Sequence, residues 1–97
     1  MIKTYIGFSI KKGSVVYGLE SLQAYRKKVH LILLCGSAGE KTARKTNELA
    51  AERNIPLRVS PELLSGLTGK INVKVIALTD ENLAKPTLNI LDGGKID

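Results

Sequence analysis

Cysteine and histidine each occur once in this 97-residue sequence, as Cys35 and His30, and tryptophan is absent. A lone cysteine excludes an internal disulfide and makes a reducing, cytoplasmic setting the expectation. With one histidine, one cysteine and no carboxylates clustered at ligand spacing, the chain carries no metal motif. Aromatics are 4% of residues, and Tyr5, Phe8, Tyr17 and Tyr25 all fall in or near expected core positions. Stacking of unpaired bases on an aromatic platform is therefore not the expected mode of binding. No apolar run approaches the length of a membrane span, and Met1-Ile2-Lys3-Thr4-Tyr5 lacks the apolar region of a signal peptide. A soluble protein with no membrane partner is expected. Internal repeats and low-complexity segments are also missing.

Positive charge, by contrast, is in excess. Fifteen Lys and Arg against nine Asp and Glu give a formal charge of +6, with a sequence pI near 9.6. Residues 1–53 hold ten basic and four acidic residues, whereas residues 54–97 hold five of each, so one end of the chain carries the whole excess. A small basic domain tends to meet polyanions, of which nucleic acid is the commonest in a cell. The length suits one domain with a modest core, here residues 1–92, followed by a flexible tail over residues 93–97.

The organising stretch runs from Val29 to Pro56. Val29-His30-Leu31-Ile32-Leu33-Leu34-Cys35 is almost continuously apolar, as in a strand buried on both faces. Gly36-Ser37-Ala38-Gly39 breaks the run, and Ser37 stands three residues before Glu40, the spacing of a capping box. A helix is expected from there to about Arg53, with Asn54 as a left-handed cap and Pro56 preventing continuation. Ile55-Pro56-Leu57-Arg58-Val59 then begins a second strand, which completes a β-α-β unit with an expected right-handed crossover.

Upstream, Ile2, Tyr5, Ile6, Ser9 and Ile10 share one side of a first amphipathic helix, closed at Gly13 after Lys11 and Lys12. Ser14-Val15-Val16-Tyr17 reads as a short strand, and Leu19, Leu22 and Tyr25 mark a second helix ending at Arg26-Lys27-Lys28. Downstream, Ser60-Pro61-Glu62 resembles a helix start with proline at the first position, and Gly69 closes that helix. Residues 73–78 form a last strand interrupted only by Lys74, and Thr79-Asp80 caps a final helix towards Leu91, where Pro86 implies a kink or a late start. Alternation of this kind favours an α/β fold, a three-layer α/β/α sandwich around a four-stranded mixed sheet.

Few residues point to chemistry. Gly36-Ser37-Ala38-Gly39-Glu40-Lys41-Thr42 ends like a phosphate-binding loop, but only two residues separate its glycines where four are needed, and Glu40 sets a carboxylate where phosphates would lie. Cys35 precedes a helix start, a position that can lower a thiol pKa, with His30 and Asp80 as conceivable partners. His30 stands at the opposite end of the strand, however, and Cys35 reads as a small packed residue. Neither an enzyme nor a cofactor is expected. Lys41, Arg44 and Lys45, at i, i+3 and i+4, share a helix face suited to phosphates, unless Glu40 and Glu48 neutralise it by pairing.

The phrases from Gly7 to Gly18, Val29 to Leu34, Asn54 to Leu57 and Val75 to Asp80, in this order and spacing, resemble the kink-turn RNA-binding ribosomal protein family. This is ribosomal protein "L seven Ae" and its relatives, above all the small bacterial ribosome-associated members. The likeness spans about Tyr5 to Lys85. It implies an α/β/α sandwich that binds sharply kinked RNA through a Gly-x-Asn-Glu-x-x-Lys loop and helix start, assisted by a loop before the last strand. The matching positions are Gly18, Glu20, Ser21 and Ala24, of which only the glycine is kept. An ionised Glu20 in place of asparagine can only accept hydrogen bonds, and Ala24 removes a phosphate-contacting lysine. Gly69, Lys70, Ile71 and Asn72 match the second loop in location. The expected RNA-binding residues are therefore Gly18, Leu19, Glu20, Ser21, Lys41, Arg44, Lys45, Lys70 and Ile71, acting by shape and phosphate contacts. The implied partners are structured RNA, ribosomal or non-coding, and ribosomal proteins beside it, with no small-molecule substrate. The alternative is the same fold without RNA recognition, serving as a protein-interaction or assembly module.

Overall fold

A computed structural model describes residues 2–93, so all of the expected tail except Gly93 lies outside the described residues. The elements in order are α1 (Ile2–Lys12), β1 (Val15–Tyr17), α2 (Leu19–Ala24), β2 (Leu31–Cys35), α3 (Glu40–Arg53), β3 (Leu57–Ser60), α4 (Leu64–Thr68), β4 (Val75–Leu78) and α5 (Glu81–Leu91). The strands form one mixed sheet in the order β1-β4-β2-β3. β2 and β3 are parallel, as the β-α-β unit requires, while β4 runs antiparallel to both of its neighbours.

Both central strands are buried at every residue, which explains their unbroken apolar sequence. Side chains alternate across the sheet. Leu31, Leu33, Cys35, Ile76 and Leu78 pack with Ile2, Ile6, Leu64, Leu67 and Ala84 on one face, beneath α1, α4 and α5. Ile32, Leu34, Val75 and Ala77 pack with Leu22, Leu49 and Ala50 on the other, beneath α2 and α3. The result is the expected three-layer sandwich. Each large aliphatic side chain taken fully out of water contributes about 1.5–3 kcal/mol.

Several helix ends follow from local signals. Gly13, at φ 77°, ends α1 with the Ser14 amide reaching back to the Ser9 carbonyl (2.9 Å). Asn54 takes the left-handed cap of α3, at φ 60° and ψ 43°. Asp80 caps α5 by accepting from the Asn82 amide (2.9 Å), and the helix then runs through Pro86 from a start at Glu81.

Other expectations are corrected. Glu40 is the first residue of α3 rather than its third, so Gly39 is the N-cap and Ser37 lies too early to close a capping box. No helix begins at Pro61. The Ser60 hydroxyl bonds the Glu62 backbone at both its carbonyl (2.6 Å) and its amide (3.3 Å), a local turn that competes with helix and delays α4 to Leu64. α2 stops at Ala24, ahead of Arg26-Lys27-Lys28. Its terminal carbonyls are taken by a distant guanidinium: Arg53 of α3 donates to Leu22 (3.1 Å), Tyr25 (3.1 Å) and Gln23 (2.9 Å). Phe8 is no core residue, being 53% exposed, because α1 turns Ile2, Ile6 and Ser9 inward instead.

Candidate nucleic-acid interface

The site begins at Gly18, which turns the chain from β1 into α2. Its backbone, at φ 86° and ψ 153°, occupies a region essentially reserved for glycine. The Gly18 amide donates to the Val75 carbonyl (2.8 Å) and its carbonyl accepts from the Leu22 amide (3.0 Å), which pins the start of α2 to the start of β4. Leu19 packs inward beside Leu22, and this leaves Glu20 and Ser21 exposed.

A cleft of about 500 Å³ opens where this turn meets the first turns of α3. Gly18, Leu19, Glu20 and Ser21 form one wall, and Lys41, Thr42 and Lys45 form another. Lys41 and Lys45 are one helical turn apart and so face the cleft together. Asn72, Lys74 and Val75 close it from the strand side, with Tyr17 and Gln23 completing the lining. Three lysines therefore line a space that holds one carboxylate-bearing residue, Glu20.

Of the other expected residues, Arg44 is exposed on α3 but does not line the cleft. Lys70 is held at its margin, with its ammonium 4.9 Å from the centre of the Tyr17 ring, an attraction of about 0.5–1 kcal/mol at an exposed site. Ile71 projects nearby, 85% exposed. It lines an adjoining cavity of about 290 Å³ with Cys35, Ser37, Leu63 and Ser65, and Asn72 and Lys74 are shared by both spaces. Lys41, Arg44 and Lys45 make no ion pair among the described residues, where the pairs are Lys12–Asp80, Arg58–Asp92 and Lys85–Glu81. Neither Glu40 nor Glu48 forms an ion pair with this face among the described residues.

Sequence reasoning passed over Gln23, Thr42 and Lys74 as site residues, and placed Asn72 only in the second loop by location. Lys74 had left a signal, a lone charge at the start of an otherwise apolar strand. Asn72 sits at φ 63°, in a turn that only the folded chain reveals.

Lys74 also reaches the thiol. Its ammonium donates to the Ser37 hydroxyl (2.8 Å), which lies 3.2 Å from the Cys35 sulfur. Burial pushes the Cys35 pKa up, but hydrogen bonds from Ser37 and from the Leu64 and Ser37 backbone, with the charge of Lys74, outweigh it and leave the thiol below its ordinary value. Among the described residues, no group of three or more His, Cys, Asp or Glu is placed to hold a metal ion, and no helix is long and apolar enough to cross a membrane.

No family model matches the chain, and no curated protein does. Among solved structures, it is similar to a protein of unknown function from Bacillus halodurans, with a TM-score of 0.80 and 21% sequence identity over 94% of this chain and 96% of that one. At that identity the likeness speaks for the fold, a small α/β sandwich with a cationic cleft at one end of its sheet in this chain.

Proposed function

We propose that this protein is a non-catalytic binder of structured RNA, related to the kink-turn RNA-binding ribosomal proteins and acting beside the ribosome in the cytoplasm. The observation that carries this reading is convergence. Gly18, Leu19, Glu20 and Ser21, taken from a family pattern, and Lys41 and Lys45, taken from helical spacing, line one cleft although nineteen residues lie between the groups in sequence. Lys74 and the nearby Lys70 add charge at the same end of the sheet. Such a cleft suits phosphates bent around a concave surface, with shape rather than base edges deciding the fit.

Glu20 favours a second reading. A carboxylate where the family carries asparagine repels phosphates, as suits a fold that has given up RNA for protein partners. Titrating a kink-turn RNA and a length-matched duplex at two salt concentrations separates the two. Preference for the kinked RNA that survives added salt is expected. Absence of affinity for either RNA at low salt would sink the RNA reading, and equal binding that collapses with salt would reduce it to unspecific attraction.

A further inference from the structure

The outward face of α1 is built unlike a solvated helix surface. The helix contains no acidic residue, and Lys3, Lys11 and Lys12 are its charges. Gly7 sits at the middle of that face. An interior glycine weakens a helix relative to alanine, yet no internal packing demands it here, since a Cβ would meet no atom within 4 Å. Beside it stands Phe8, the chain's only phenylalanine, more than half exposed. Lys3, Thr4, Gly7, Phe8, Ile10 and Lys11 line a shallow groove of about 390 Å³. Lys12 is committed to Asp80, whereas Lys3 and Lys11 have no ion-pair partner among the described residues.

We propose that this face of α1 docks an acidic amphipathic helix of another protein. The missing Cβ of Gly7 lets a partner backbone approach closely, and the Phe8 ring supplies an apolar anchor. Lys3 and Lys11, two turns apart, meet carboxylates spaced by about 12 Å along the partner helix. A second copy of this chain is a poor occupant, because two such faces would set Lys3 and Lys11 against like charges in a chain of net charge +6. A phosphate, for its part, finds no free amide at Gly7, which lies inside α1 where the backbone N–H is already spent in the helix. α1 lies in the layer opposite α2 and α3, so docking leaves the lysine cleft open.

The probe is a synthetic amphipathic peptide of glutamate, leucine and alanine, titrated into isotope-labelled protein beside a peptide of the same composition in scrambled order. Amide shifts confined to α1, with affinity about tenfold above the scrambled peptide, are expected; Phe8→Ala and Gly7→Leu should each remove most of that difference. Gly7→Ala should raise the melting temperature while weakening the peptide, a combination that damage to folding cannot produce. Equal binding of both peptides, shifts centred on the lysine cleft, self-association through α1, or movement of the same amides by a structured RNA would each overturn the proposal.

Discussion

Replacing Lys41, Lys45 and Lys74 together with glutamine takes three cations from the cleft while leaving its hydrogen-bonding capacity largely in place. If each ammonium neutralises one phosphate, each contributes about −0.7 to −0.9 to the log–log dependence of RNA affinity on salt. Losing three should flatten the slope by about 2 to 2.7 units. Over a fourfold rise in salt the wild-type protein should then lose about 20- to 40-fold more affinity than the variant. Lys41 and Lys45 are exposed, and Lys74 is half-buried with one hydrogen bond to Ser37, so thermal melts should confirm that the variant still folds cooperatively. Fluorescence anisotropy with a kink-turn RNA across a salt series gives the slope directly. An unchanged slope in a folded variant would refute the reasoning, because the phosphates would then lie elsewhere. Glu20→Gln, in the same assay, should raise affinity and leave the slope nearly as it was, since it removes a repulsion without adding a contact.

Gly18→Ala forces a side chain into a backbone conformation that only glycine adopts readily; chemical denaturation should show a loss of about 1–3 kcal/mol, and a neutral effect would mean that the β1–α2 turn is not as described. Arg53→Ala strips the donors from the Leu22, Gln23 and Tyr25 carbonyls and should cost about 1.5–3 kcal/mol, with faster amide exchange in α2 than in α3. Acid should destabilise the fold through Asp80 and Asp92. The hydrogen bond from Lys12 holds the Asp80 carboxyl below its ordinary pKa, and that from Arg58 does the same for Asp92. Each contribution is thus present above the unfolded-state value and lost as pH falls through the lowered folded-state one, so urea midpoints should drop below about pH 4. Asp80→Asn and Asp92→Asn should each flatten that decline, and unaltered profiles would show that the pairs do not couple to folding.

The central β-α-β unit was legible because its signals are local and agree with one another. A short apolar run bounded by a glycine loop reads as a doubly buried strand rather than a helix, and Asn54 followed by Pro56 leaves little choice about where α3 stops. Ser37 and Pro61 misled for one reason: a capping pattern says that a helix is near, not which residue begins it, and in each case one serine hydroxyl found a different partner. Phe8 was assigned to the core by its chemistry, although its place on the α1 wheel, between Thr4 and Lys12, already pointed outward. The cleft divides in the same way. Lys41 and Lys45 could be paired from spacing, but their meeting with Gly18 and Glu20 depends on β4 standing beside β1, and pairing between distant strands leaves no periodic trace in a single sequence.

That pairing bears on how the chain can come into being. β4 lies between β1 and β2, yet of the four strands it is synthesised last. Until Val75–Leu78 has emerged, β1 and β2 have no common neighbour, and Leu31, Leu33, Val15 and Tyr17 lack the strand against which they close. A growing chain can therefore form the β2-α3-β3 unit early but must carry β1 unpaired through about sixty further residues of synthesis, with open edges of the kind that invite aggregation. A copy cut short before β4 would not persist as a smaller version of the same domain: it would lose the middle of its sheet, and with it the strand to which the Gly18 wall of the cleft is tied.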